Sequence, residues 1–236
     1  MASTKSNIKI VRISSLEEAE QLVDLACETF IDDYLFSLIV PGRHDHPESF
    51  RKIWKSYLRE AYAGRGSVTL AAYREDEDGA RSEFLAFAVW ARFGTSDVAR
   101  SWQGDSWNKK LARVGLLWDQ CLQSILCQTD PGVTLDAAPD IFSSLSSTVS
   151  LHPKEHWSLS WLGVSPKCQR TGIGQRLLQW GIDRCEEEQV PALLLATAPG
   201  RPLYAKMGFQ DLGDTICHEG GNVMMIRPVE GVVKMV

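Results

Sequence analysis

The stretch from Trp157 to Cys185 constrains this chain more than any other. Trp157 to Val164 is a run of apolar and β-favouring residues that reads as a strand. Ser165-Pro166 turns the chain out of it. Gly172-Ile173-Gly174 then opens a helix whose inward face is Ile173, Leu177, Leu178, Gly181, Ile182 and Cys185. A strand that feeds a helix through Gln169-x-x-Gly172-x-Gly174 specifies an α/β unit with a functional turn. The first N–H groups of a helix have no intrahelical acceptor, and they carry the positive end of its dipole. Glycines let that backbone turn tightly and come close to a ligand. The turn is thus a cradle for an anion such as a pyrophosphate, and Arg170 and Arg176 are candidates for added charge.

Other segments supply the elements that surround this unit. Ile8 to Ile13 alternates as a half-buried strand, and Ser15-Leu16-Glu17-Glu18 reads as a capping box. One helix is expected to follow, with Leu16, Ala19, Val23, Cys27 and Phe30 on one face. Pro47 suits the first turn of a second helix with Phe50, Ile53, Trp54, Tyr57 and Ala61 on its stripe. Val68 to Tyr73 and Phe84 to Trp90 read as a hairpin, joined by the acidic run Glu75 to Asp78 and Gly79. After the central helix come a strand at Ala192 to Ala198, a short helix from about Arg201 to Met207, and a closing hairpin around Gly220-Gly221-Asn222. Residues 91–155 break the rhythm. They contain an amphipathic helix marked by Trp107, Leu111, Val114, Trp118, Leu122 and Ile125, with loops around Asp130-Pro131-Gly132 and Ser143 to Ser150. The expectation is one α/β (α+β) domain over residues 1–236, with a partly helical insertion at about 91–155 that covers a substrate site.

Composition narrows the partners. The net charge of −5 and the lack of a basic run argue against nucleic-acid and membrane-surface binding. No window approaches the ~18 apolar residues of a membrane span, and the first residues lack a signal-peptide core, so a cytoplasmic location is expected. The six cysteines form no Cys-x-x-Cys pair and read as reduced, mostly buried thiols. His44-x-His46 reads as a loop pair, and no metal is expected.

Three phosphate-binding designs compete for the glycine turn. A P-loop needs Gly-Lys-Ser/Thr, which is lacking. A dinucleotide fingerprint needs a third glycine where Leu177 stands. A coenzyme A turn needs Gln/Arg-x-x-Gly-x-Gly/Ala, and Gln169 to Gly174 matches it throughout. Leu159-Ser160-Trp161-Leu162-Gly163-Val164-Ser165-Pro166, Gln169 to Gly174 and Leu177-Leu178 resemble the central acetyl-CoA motif of the Gcn5-related N-acetyltransferase (GNAT) superfamily. Gly200-Arg201-Pro202-Leu203-Tyr204-Ala205-Lys206-Met207-Gly208-Phe209 is similar to that family's next motif, at the family spacing. With His156-Trp157 and Trp180-Gly181 the resemblance extends to fungal members of unassigned substrate. The specific match covers roughly residues 155–215, the rest matching in element order only.

The resemblance implies a mixed sheet, splayed at its centre and flanked by helices. The central strand would carry a bulge within Trp161 to Val164, and the pantetheine arm of acetyl-CoA would pair with Leu162, Gly163 and Val164. The pyrophosphate would sit on the N–H groups of Arg170, Thr171, Gly172, Ile173, Gly174 and Gln175, beside Gln169. Tyr204 occupies the family's general-acid position, and a phenol with an unperturbed pKa of about 10 is a proton donor. The alternative for Tyr204 is a core residue after a turn. Many members place a carboxylate base on the central strand, but Trp157 to Val164 has none. His156 is the first candidate base, a structural histidine being the alternative, with Glu155 and His152 behind it. Thr197 stands where the family often has an asparagine in the cofactor site. Asp32 and Asp33 are either attractors for a cationic amine or a solvated pair at a helix end. Trp157 and Trp161, four apart, are expected on one strand face, in the core or lining a pocket. The implied acceptor is a small-molecule amine. A protein N-terminus or lysine, or a binding role without turnover, stays open. So does the choice between monomer and homodimer.

Overall fold

The computed structural model describes residues 8–75, 81–104, 106–126, 152–217 and 222–229. Its sheet has the strand order β1-β2-β3-β4-β5-β7-β6, with β1 Ile8–Arg12, β2 Ser67–Glu75, β3 Arg81–Phe93, β4 His156–Val164, β5 Ala192–Ala196, β6 Gln210–Cys217 and β7 Asn222–Arg227. All neighbours pair antiparallel except β4 and β5, which are parallel. A parallel pair needs a crossover connection, and here it is the helix α7, Ile173–Glu188. The other helices are α1 Leu16–Glu20, α2 Val23–Phe30, α3 Tyr34–Ile39, α4 Pro47–Ala63, α5 Asp97–Trp102, α6 Trp107–Leu126 and α8 Arg201–Lys206. The turns expected at Asp76 to Gly79, Asp130 to Gly132, Ser143 to Ser150 and Gly220-Gly221 lie outside the described residues.

Strand alternation gives the sheet two apolar faces. Val68, Leu70, Ala86, Ala88, Trp90, Trp157 and Leu159 pack against Ile173, Leu177, Leu178 and Ile182 of α7. Ala71, Phe87 and Val89 face the other way, onto Leu22, Phe36, Phe50, Trp54 and Leu58 from α1 to α4. Gly181 sets the closeness of the first layer. A Cβ there would lie 2.2 Å from the Trp90 ring, so only glycine lets α7 rest on that indole.

The N-terminal cap expected at Ser15 forms, with the returning carboxylate bond shifted one residue toward the N-terminus. The Ser15 hydroxyl accepts from the Glu18 N–H (3.1 Å), and the Glu18 carboxylate accepts from the Ser14 N–H (2.9 Å). The single helix expected after it is instead two. Gln21 and Leu22 form a turn between α1 and α2, and Leu22 N–H bonds to the Ala19 carbonyl three residues back. The apolar stripe passes through this tightened turn, which is why the sequence pattern did not register it.

A buried ionic hub ties the segment after β3 to the sheet. Arg92, 2 % exposed, meets Glu155 (2.8 Å) and Glu188 (2.7 Å). Glu188 also accepts from the indole nitrogens of Trp102 (2.7 Å) and Trp157 (3.2 Å). A buried guanidinium is tolerated because both carboxylates and the Phe93 carbonyl satisfy it.

Candidate active site

The pairing of β4 changes along its length. Trp157, Ser158 and Leu159 pair with Ala192, Leu193 and Leu194, and the β4–β5 ladder ends there. β5 continues with β7 as far as Ala196, while β4 continues with β3 as far as Val164. The two parallel strands therefore diverge beyond Leu159. A register shift marks the point: Leu159 opposes Trp90 and Trp161 opposes Val89, so Ser160 is the extra residue of a β-bulge. The bulge falls one residue before the segment expected to hold it.

Divergence leaves one edge of β4 without a partner strand among the described residues. Ser165 N–H donates to the Leu85 carbonyl (2.9 Å). By antiparallel alternation, Gly163 and Trp161 then turn their polar groups to β3, and Leu162 and Val164 turn theirs to the open edge. Of the three expected edge residues, Gly163 thus serves differently. A Cβ there would lie 2.6 Å from the Phe87 ring, so glycine lets the strand lie flat on that aromatic.

The bulge also overturns the expectation that Trp157 and Trp161 share a face. One extra residue between them inverts the alternation. Trp157 packs beside Trp102 and Trp180 on the α7 side. Trp161 points to the opposite side, its ring nearly parallel to those of Phe36 (5.8 Å) and Tyr57 (5.7 Å), with Phe30 edge-on.

The open edge leads directly into the glycine turn. Pro166–Cys168 is a short 3₁₀ turn, after which Arg170 (φ 61°) and Gly172 (φ 85°) adopt left-handed backbone. The Thr171 hydroxyl donates to the Cys168 carbonyl (2.5 Å), and the Gln169 amide to the Val164 carbonyl (3.3 Å). Gly172 is the N-cap of α7 and supplies no side-chain acceptor. The first intrahelical bond runs from Arg176 N–H to the Gly172 carbonyl. The N–H groups of Ile173, Gly174 and Gln175 precede it and face the turn unpaired within the helix. Gly174 packs close to Val164, where a Cβ would be 3.2 Å from Cγ2. Arg170 is exposed at the turn. Arg176, the other expected cation, instead donates to the Ile8 carbonyl of β1 (3.1 Å).

The loop after β5 brings Tyr204 to the same end of the sheet. The Thr197 carbonyl accepts from Gly200 and Arg201 N–H (3.0 Å each), which starts α8. A Cβ on Gly200 would lie 3.0 Å from the Tyr204 ring and 3.3 Å from the Thr197 hydroxyl. Tyr204 is thereby pressed onto the turn, with Phe209 against it. Burial pushes its phenol up to about 12, so it stays protonated across any working pH. Among the described residues its hydroxyl has no hydrogen-bond partner. Val164, Gly174, Thr197 and Tyr204 thus gather at the carboxyl ends of two parallel strands. That is the usual ligand position in open α/β sheets.

His156 is not part of this gathering. It begins β4, six residues before Leu162, which is ~20 Å along a strand. Its ring stacks on Phe93 (4.9 Å), and its Nδ1 lies 2.6 Å from the Pro153 carbonyl. Burial lowers its pKa, keeping the ring neutral. His152 sits edge-on to it. Burial alone would raise the Glu155 carboxyl. The hydroxyl and N–H of Ser96, the N–H of Thr95 and Arg92 overcome this and hold it at about 2. All three expected base candidates belong to the far end of β4. Asp33 caps α3 by accepting from Leu35 N–H (2.9 Å), and Asp32 is exposed, 3.8 Å from His44. Sequence reasoning missed Glu28 of α2, which the fold brings to the near end of β4 beside Ser165 (3.3 Å) and Lys167 (3.5 Å). A separation of 137 residues hides such a pair from any local pattern.

Two clefts open elsewhere. One, about 300 Å³, is lined by Arg12, Tyr62, Thr69, Trp102 and Lys109. The other, about 420 Å³, is lined by Ile10, Arg176 and Trp180. Neither contains Tyr204 or the glycine turn; the candidate site is an open groove along a strand edge. Among the described residues no group of His, Cys, Asp and Glu is arranged to hold a metal, and no helix is long and apolar enough to cross a membrane. Burial pushes the Cys27 thiol up to about 11 and the Cys185 thiol to about 12.

Known proteins share this fold. Residues 102–209 match the model of the Acetyltransferase (GNAT) family. An acetyltransferase of Stachybotrys chartarum is 21 % identical over 211 residues, covering 86 % of this chain and 81 % of that one. The structure of histone acetyltransferase HPA2 and related acetyltransferase from Corynebacterium glutamicum aligns with a TM-score of 0.56 at 19 % identity, covering 94 % of this chain and 96 % of that one. PH1933 from Pyrococcus horikoshii aligns at 0.55 with 15 % identity, over 94 % and 98 %. The splayed parallel pair, the glycine turn and these likenesses agree: residues 102–209 are similar to the GNAT family of acetyltransferases, and the chain shares the fold of these solved structures.

Proposed function

We propose that this protein is an acyltransferase that uses acetyl-CoA and moves its acetyl group to a primary amine of a small molecule. The divergence of β4 from β5 after Leu159 carries the reading, because it opens a strand edge that runs straight into an uncapped helix N-terminus. The pantetheine arm adds to that edge through the backbone of Leu162 and Val164, as an extra strand would. The pyrophosphate rests on the N–H groups from Arg170 to Gln175, with Gln169 and Arg170 at its rim and Thr197 beside the thiol end. The aromatic group at Trp161, Tyr57 and Phe36 builds the acceptor side.

In this reading the neutral amine attacks the thioester carbonyl. The C–N bond forms, the C–S bond breaks, and the amine gives its extra proton to solvent. Tyr204 donates a hydrogen bond to the sulfur as negative charge develops there. A phenol held near 12 is a weak acid, so it stabilises the thiolate as a donor and is not left as a phenolate. A cytoplasmic site of action fits the use of free acetyl-CoA.

The test is thermal unfolding with and without acetyl-CoA, together with thiol release across a panel of amines, polyamines, amino acids and peptides. A ligand at 100 times its Kd should add ~2.7 kcal/mol of stability. No shift in melting temperature at millimolar acetyl-CoA would refute the cofactor assignment. Thiol release with peptides alone would move the acceptor to proteins.

A further inference from the structure

Helix α6 has two faces of unlike fate. Ala112 and Leu116 are buried beside α4, and Arg113 donates to the Ala63 carbonyl (2.6 Å). The opposite face carries Trp107 (77 % exposed), Leu111 (67 %), Val114 (64 %) and Trp118 (67 %), with Leu117 (61 %) alongside. The spacing of four, three and four residues draws these side chains into one seam about 17 Å long. The Lys110 ammonium lies over the Trp107 ring at one end (4.8 Å to its centroid); the rest of the seam is uncharged, and nothing else among the described residues covers it. Gly115 flanks it, where a Cβ would meet nothing within 4 Å. Glycine is the poorest helix former after proline, and among the described residues nothing packs on it that would require one in mid-helix.

We propose that this face of α6 is the interface of a homodimer, packed against α6 of a second copy in antiparallel orientation. Three observations favour a second copy over other occupants. The five side chains present on the order of 700 Å² of mostly apolar surface, close to the ~800 Å² each partner gives to a standard interface. The seam is self-complementary under a twofold axis: Trp107 meets Trp118 of the partner subunit, while Leu111 meets the partner subunit's Val114. Large residues then fall at both ends and smaller ones at the centre. The gap at Gly115 lets the two helix backbones approach closely. This proposal stands apart from the acyl-transfer reading, since α6 contributes nothing to the groove at Tyr204.

Sedimentation velocity of the full chain across 1–100 µM tests it. The expected species is about twice 26.3 kDa. Leu111→Glu should raise the concentration of half-dissociation at least tenfold and leave thiol release intact. A Leu111→Cys/Val114→Cys double variant should give a disulfide-linked dimer on mild oxidation, even if the charged variant folds poorly. A single 26.3 kDa species at every concentration, with no cross-linked dimer, would overturn the proposal. If Trp107 and Trp118 were then shielded from a fluorescence quencher, residues 127–151 of the same chain would be the occupant instead. A dimer that survives Leu111→Glu would place the interface elsewhere and equally refute it.

Discussion

Gly181→Ala sets two physical effects against each other. In an exposed helix the change would add ~1 kcal/mol of stability, because alanine is the better helix former. Here the new Cβ would sit 2.2 Å from two atoms of the Trp90 ring and 2.6 Å from a third. Carbon atoms rest ~3.5–4.0 Å apart, so about 1.3 Å must be found. Trp90 is fully buried between Val68, Ala88 and the α7 layer and has no free side to move into. Overpacking of this kind costs roughly 1–3 kcal/mol and outweighs the propensity gain. At the upper end of that range the net loss is ~2 kcal/mol, which for a domain of this size lowers the melting temperature by roughly 4–8 °C. If α7 yields instead of the ring, its N-terminus moves away from Val164 and the anion cradle loosens. The half-saturating acetyl-CoA concentration should then rise as well. Differential scanning calorimetry with a parallel titration reads both effects. Trp90→Leu removes the obstructing ring, so the double variant should be less impaired than the sum of the two single ones. A Gly181→Ala protein as stable as the parent, with unchanged acetyl-CoA affinity, would refute the close approach of α7 to β3.

Three further outcomes follow from the site and its surroundings. Tyr204→Phe should lower kcat by about 10²-fold and leave acetyl-CoA affinity within a factor of a few; equal turnover would remove Tyr204 from the chemistry. Since its phenol titrates only near 12, parent and variant should show parallel kcat profiles up to pH 10. An alkaline loss confined to the parent would contradict that. Glu155 is held at about 2 against its usual 4.5, so its stabilisation is complete above pH 5 and is lost as pH falls toward 2. Glu155→Gln should accordingly lower the melting temperature at pH 7, and the gap should close between pH 4.5 and 2; a constant gap would mean that charge is not the cause. His156→Asn should cost stability, through the lost Phe93 stack, while kcat stays within twofold; a hundredfold loss of kcat would return His156 to the mechanism.

The sequence by itself determined the features set by neighbouring residues. Gly172 was legible as the tight turn that opens α7, because glycine turns the backbone with no Cβ in the way. Leu177, Leu178 and Ile182 announced the buried face of α7, since helical period alone fixes which side chains share a stripe. The short helix that carries Tyr204 was legible because the hydrogen bonds that start and end it, from Thr197 to Gly208, are local.

Only the tertiary structure decided what depends on register between distant strands. Whether β4 carries its extra residue at Ser160 is a property of its pairing with β3. That one residue sends Trp161 to the face opposite Trp157 and separates β4 from β5. The same distance effect took His156 and Glu155 away from Tyr204, since a strand converts adjacency in sequence into ~3.3 Å per residue of real separation. It also brought Glu28 to Ser165. In the proposed reading the glycine turn that first marked the chain needs this divergence beside it, because a cradle for phosphates becomes a cofactor groove only where a strand edge lies open to lead into it.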